Sequence, residues 1–147
     1  LFRSIDPTLN ILMHSYAGKA ETTQRLLGLN ANVFFSFSLR QLSTLLPHKL
    51  TKKKEENFVN IPLENLVIET DAPYQAYDPL VTKYSQGWVS RIGNITSANL
   101  PPIENTSLSE PKFLNCMLSF LSEFYKMEKS KLAEILWKNS QRAFQLV

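Results

Sequence analysis

Three short apolar runs, each closing on polar residues and two of them followed by residues at helical spacing, constrain this chain more than any other feature. Residues 10–14 (NILMH), Val33-Phe34-Phe35-Ser36-Phe37 and Leu66-Val67-Ile68 are too short for helices, and the last two are apolar on both faces. Such strands belong to a parallel sheet covered on both sides. Between the first and second, residues 18–27 set Ala20, Thr23, Leu26 and Leu27 on one side, with Gly28 as a stop. After the second, a helical stretch from about residue 40 to 46 ends before Pro47. The run Lys52-Lys53-Lys54-Glu55-Glu56 reads as a solvated loop over 51–57. Strand alternating with helix implies an α/β fold with right-handed crossovers, either an open doubly wound sheet or part of a closed eight-stranded barrel. Both put chemistry at the C-terminal ends of strands, where His14 and Asp71 stand.

The second half changes character. Residues 72–108 hold four prolines and two glycines and no sustained period, so they read as a long loop insertion, far beyond the usual connection of about 2 to 6 residues. Ser109 is then expected to cap a helix with Glu110 and Pro111 in its first turn and a stripe of Phe113, Leu114, Met117, Leu118, Leu121, Phe124 and Tyr125. Ser130 is expected to cap a last helix with Leu132, Ile135, Leu136 and Ala143 on one face.

At 147 residues the whole is one domain, and nowhere does it approach the roughly 18 uninterrupted apolar residues of a membrane span. The net charge of +3 permits a polyanionic partner without demanding one. Cys116 is the only cysteine, which excludes an internal disulfide and a cysteine-cluster metal site and fits an intracellular setting, cytoplasm or nucleus. Phosphate-binding glycine loops, HExxH, nucleophile elbows and calcium loops are absent.

Imidazole and carboxylate at strand ends are donors suited to divalent ions, and two such ions about 3.5 to 4 Å apart can activate water and neutralise a phosphodiester. Strands about 4.8 Å apart, with one strand between, bring their ends within about 10 Å, close enough for His14 and Asp71 to serve one binuclear cluster. Equally, a strand-end histidine can be a hydrogen-bonded structural residue and a carboxylate after a strand the cap of the next helix. His48, beside Pro47 before the charged run, reads as an exposed residue.

Five segments, in order, resemble the TatD-related metal-dependent deoxyribonucleases. HSYAG at 14–18 is similar to that family's His-Cys-Phe-Ser-Gly segment, and VFFSFS at 33–38 to its next strand. IPLENLVIETDAPY at 61–74 is similar to its IPLDRLLLETDAPY type of signature, the most specific of the matches. SEP at 109–111 stands where the family usually has Asn-Glu-Pro, and NSQRAF at 139–144 resembles its closing Asn-Ala-x-Arg-x-Phe. The resemblance implies a TIM barrel, of which this chain carries the last three strand-helix units. It implies His14 as a metal ligand, Asp71 as a metal-binding and catalytic aspartate, and Glu69 and Glu110 as supports of the site through hydrogen bonds. Arg142 is expected to fix the last helix. The implied cofactors are divalent ions, Mg, Mn or Zn, two per complete site; the implied substrate is DNA, cut by a metal-activated water.

The family's N-terminal His-x-His, its mid-chain glutamate and a further histidine have no counterpart here, so the chain alone is expected to be a poor hydrolase needing the rest of the barrel or a protein partner. A catalytically incomplete scaffold is the competing reading. Within the long insertion, Tyr74, Tyr84, Trp88 and Arg91 interleave rings with a cation, a pattern that can stack unpaired bases and meet phosphates at roughly 1 to 3 kcal/mol per stacked base.

Overall fold

The computed structural model describes residues 6–45, 51–74, 109, 111 and 113–146. Its sheet has three parallel strands in the order β1 (Asn10–Met13), β2 (Asn32–Phe37) and β3 (Leu66–Ile68). The apolar runs thus become neighbours in chain order, with Met13 level with Phe35 and Ser36 level with Val67. Helix α1 (Ala20–Leu27) crosses from β1 to β2. The expected second helix is shorter than its apolar spacing suggests: α2 (Leu39–Leu42) tightens into a 3-10 turn over Ser43–Leu45.

The charged run is a helix and not the loop expected from its composition. Helix α3 (Lys52–Val59) starts where the Thr51 hydroxyl accepts the Lys54 amide at 3.3 Å, and Asn60 closes it. Its charges do face solvent, while Phe58 is buried against Phe37, Phe124 and Tyr125. One aromatic anchor and one capping hydroxyl outweigh the polarity of the rest.

Helices α4 (Phe113–Phe124) and α5 (Lys129–Phe144) complete the described elements. Alternation along the strands divides their side chains between two faces. Val33, Phe35, Phe37 and Leu66 join Met117, Leu121, Leu132 and Leu136 in one core beneath the helices. Phe34, Ser36 and Val67 project from the opposite face, and all three are buried. The cap of α5 is Glu128 and not Ser130, whose hydroxyl instead bonds the Glu128 carboxylate.

The C-terminal half of α5 reaches the N-terminal ends of the strands. Buried Asn139 donates to the carbonyls of Leu63 and Leu66 at 2.7 and 2.8 Å, holding the 3-10 turn Leu63–Asn65 and the first residue of β3. Arg142 donates to the Glu64 carbonyl and lies 5.3 Å from the Phe34 ring centre, while Asn10 donates to the Arg142 carbonyl. The closing NSQRAF segment therefore secures the end of the sheet remote from the strand-end carboxylates. Among the described residues no helix is long and apolar enough to cross a membrane.

Candidate metal centre

Beyond β1 the chain turns sharply. Ser15 takes a left-handed conformation, φ 48°, and Tyr16 then returns its amide to the Ser36 carbonyl at 2.9 Å. The Tyr16 ring is buried edge-on against Phe35, and its hydroxyl meets Thr23 Oγ1 at 2.9 Å. Gly18 is required beside it, because a Cβ there would stand 2.1 Å from the Tyr16 hydroxyl. With Tyr16 anchored behind the turn, the His14 imidazole stays above the strand ends with 64% of its side chain exposed.

After β3, Glu69 continues the ladder through its amide to the Phe37 carbonyl at 2.9 Å, and Asp71 adopts φ 53°. Asparagine and aspartate tolerate this region better than most residues. The Ser109 hydroxyl donates to the Thr70 carbonyl at 2.6 Å and fastens this turn; the helix start it is expected to cap includes residues outside the described ones.

The two turns converge. His14 Nδ1 lies 2.6 Å from Glu69 Oε2, and His14 Nε2 lies 3.1 Å from Asp71 Oδ1. Glu69 is the hub: its Oε1 accepts the Ser15 amide at 2.8 Å and the Ser15 hydroxyl at 3.0 Å, and its Oε2 also accepts the Ser36 hydroxyl. The Ser15 hydroxyl stands 3.0 Å from Asp71 Oδ2 as well. Both carboxylates are largely shielded, at 16% and 8% side-chain exposure. The hydrogen bond to Glu69 and its negative charge hold the His14 pKa above its ordinary value, with a smaller contribution from Asp71, against the opposing effect of burial.

One donor atom from each of His14, Glu69 and Asp71 falls within 4.8 Å of the others. The geometry distinguishes them. Two ligand atoms bound at about 2.1 Å and near a right angle are about 3 Å apart, which matches His14 Nε2 and Asp71 Oδ1. Glu69 faces the other ring nitrogen, where a ligating histidine characteristically meets a carboxylate. The donors fit a divalent ion of the hard or borderline kind.

The sequence estimate allowed His14 and Asp71 to stand several ångströms apart across a binuclear cluster. The structure puts them in contact, because each lies beyond its strand in a turn that curls inward. Tyr74 is 78% exposed and lines a shallow depression with His14, Glu69, Thr70 and Asp71. Glu110, Tyr84, Trp88 and Arg91 lie outside the described residues, as do His48 and most of the long connection expected over 72–108. Ser36 and the bridging role of Ser15 were missed by sequence reasoning; a serine within an otherwise apolar strand was the available signal for Ser36.

The chain is similar to Deoxyribonuclease Tat-D of Saccharomyces cerevisiae, at 34% identity over 76 residues, which are 50% of this chain and 16% of that protein. The crystal structure of an uncharacterized amidohydrolase from Saccharomyces cerevisiae shares the fold with a TM-score of 0.61 and 22% identity, over 94% of this chain and 41% of that one. The chain thus spans less than half the length of either protein. The match to the family described as TatD related DNase runs over residues 2–145, and the chain belongs to that family.

Proposed function

We propose that this chain supplies the metal-holding C-terminal wall of a hydrolase that cleaves DNA phosphodiester bonds, its three strands being the last of a TIM barrel. The observation that carries this reading is the contact of His14 Nε2 with Asp71 Oδ1 at the C-terminal ends of parallel strands, in a chain of this family.

His14 through Nε2 and Asp71 through Oδ1 would hold a divalent ion, with Glu69 as the carboxylate that orients the imidazole from its other side. When bound, such an ion lowers the pKa of water and offsets negative charge on a phosphoryl oxygen. The chain's own residues do the positioning. Glu69, fixed by the Ser15 amide and the Ser15 and Ser36 hydroxyls, keeps the proton on His14 Nδ1 and leaves Nε2 as the donor atom. The largely shielded carboxylates stand beside an imidazole and hydroxyl donors that fix their orientation, so their oxygens are pre-set for a cation. Tyr74, beside the same depression, would stack on a base of the substrate, and the sequence offers Tyr84, Trp88 and Arg91 as further nucleic-acid contacts and Glu110 as a support of the site. A complete site would take further ligands from the rest of the barrel and hold two ions, Mg, Mn or Zn; the alternative of a catalytically incomplete, protein-binding scaffold draws no support from donors so aligned.

The test joins the chain to the segments that complete the barrel and measures cleavage of a labelled DNA duplex and single strand with Mg²⁺ or Mn²⁺. Chelator-sensitive cleavage that Asp71→Ala abolishes is expected; an Asp71→Ala protein as active as its parent overturns the assignment.

A further inference from the structure

We infer that Ser15 is a positioning residue that fixes which oxygen of Asp71 faces the cation, an inference that rests on the metal reading above. Among the described residues, the groups that reach the Asp71 carboxylate are His14 Nε2, at Oδ1, and the Ser15 hydroxyl, at Oδ2. An ion between Nε2 and Oδ1 takes the first contact away. What then holds the carboxylate is the Ser15 hydroxyl, 3.0 Å from Oδ2. Occupied there, Oδ2 is turned from the ion, and Asp71 binds through Oδ1 alone.

The same serine is anchored independently of that hydroxyl. Its backbone amide donates to Glu69 Oε1 at 2.8 Å, and the next amide, that of Tyr16, is tied to Ser36. The left-handed backbone at Ser15 aims its side chain across the gap between the two turns, toward both carboxylates at once. A hydroxyl with one proton and two carboxylate acceptors, each at 3.0 Å, is a switchable clasp: in the ion-free site it can satisfy Glu69, and with the ion bound it serves Asp71. Glu69 loses little by the exchange, since the Ser15 amide, His14 and the Ser36 hydroxyl still donate to it.

Backbone and side-chain roles separate at this position. Ser15→Gly keeps the amide bond, suits φ 48° better than serine does, and removes the hydroxyl. Ser15→Thr keeps a hydroxyl and strains the same backbone, because β-branched residues resist positive φ. Ser15→Gly is therefore expected to lose affinity without losing stability, and Ser15→Thr to lose stability while keeping affinity.

Mn²⁺ binding by the chain joined to the segments that complete the barrel, followed through the paramagnetic resonance signal of free Mn²⁺, gives affinity, and thermal unfolding of the same protein without metal gives stability. Ser15→Gly is expected to bind Mn²⁺ about 10-fold or more weakly, in the range for loss of a group that orients a ligand, with an unfolding midpoint at or above the parent's. Ser15→Thr is expected to retain affinity within about threefold while unfolding at lower temperature. Parental affinity in Ser15→Gly, or Ser15→Thr as weak as Ser15→Gly, overturns the clasp. Failure of the metal reading looks different: Asp71→Ala then binds Mn²⁺ as the parent does, or the parent binds none.

Discussion

Replacing Asn139 tests the coupling between the last helix and the strand that delivers Glu69 and Asp71. The side chain is 2% exposed and its amide nitrogen spans two carbonyls, Leu63 at 2.7 Å and Leu66 at 2.8 Å. A hydrogen bond contributes a net ~0.5–1.5 kcal/mol, and a buried carbonyl left without a donor costs ~1–3 kcal/mol. The Leu66 residue is fully buried and meets the whole of that penalty; the Leu63 carbonyl is only partly buried and regains water when its donor is removed. The expected loss for Asn139→Ala is therefore about 2–4 kcal/mol. In urea, with a slope of about 2 kcal/mol/M for a protein of this size, the unfolding midpoint should fall by roughly 1–2 M with the slope unchanged. Asn139→Asp should be worse, since a carboxylate brings no donor and sets negative charge against two carbonyl oxygens. Ser140→Ala, removing a hydroxyl that among the described residues back-bonds the Leu136 carbonyl within the helix, serves as control within about 0.5 kcal/mol. An Asn139→Ala protein within 0.5 kcal/mol of its parent, or Asn139→Asp no less stable than Asn139→Ala, refutes the reasoning.

Tyr125→Phe should stabilise the fold by about 1–2 kcal/mol in the same urea assay, because the buried Tyr125 hydroxyl has no hydrogen-bond partner among the described residues. Burial also pushes the Tyr125 pKa up from 10.0 to about 12. The native state then keeps the proton longer than the unfolded chain, so stability is full below pH 10 and falls as the pH rises toward about 12, a decline of ~2–3 kcal/mol that Tyr125→Phe should lack. Thr51→Ala should cost about 0.5–1 kcal/mol by uncapping the first turn of α3, and lower helical circular dichroism only slightly; no change in urea midpoint would mean that the cap contributes nothing to holding the helix.

The strand order was legible because apolar runs of three to six residues bounded by polar ones admit few folds other than a parallel sheet under helices. Helix α3 was not, since a single buried residue, Phe58, gives no measurable period and the flanking Val59 is half exposed. One cap differs for a local reason: Ser130 has the right chemistry for a helix start, yet the helix is capped two residues earlier at Glu128, whose carboxylate takes the Ser130 hydroxyl. Of the candidate site, His14, Glu69 and Asp71 could be named from their places at strand ends and in the signature. Their mutual distances could not, because they depend on two positive-φ turns at Ser15 and Asp71, and serine carries no sequence signal for that conformation.

Register ties these observations together. Residues two apart on a strand share a face, so Phe34 and Ser36 stand on one side of the sheet, and continuing the ladder puts His14 level with Ser36 and Ser36 level with Val67. Glu69 is the next residue of that parity beyond Val67, and it reaches back to meet both His14 and Ser36. A slip of one residue in β1 would send His14 to the helix-facing core and present Met13 or Ser15 in its place. What prevents the slip is apolar and lies on the other face: Phe35, Phe37 and Leu66 in the core, with Ile11 and Met13 packed against it. At the far end of the strands, Asn10, Asn139 and Arg142 fix the same register through backbone carbonyls. The candidate metal donors are therefore positioned less by their own interactions than by a core that would have to be inverted to move them.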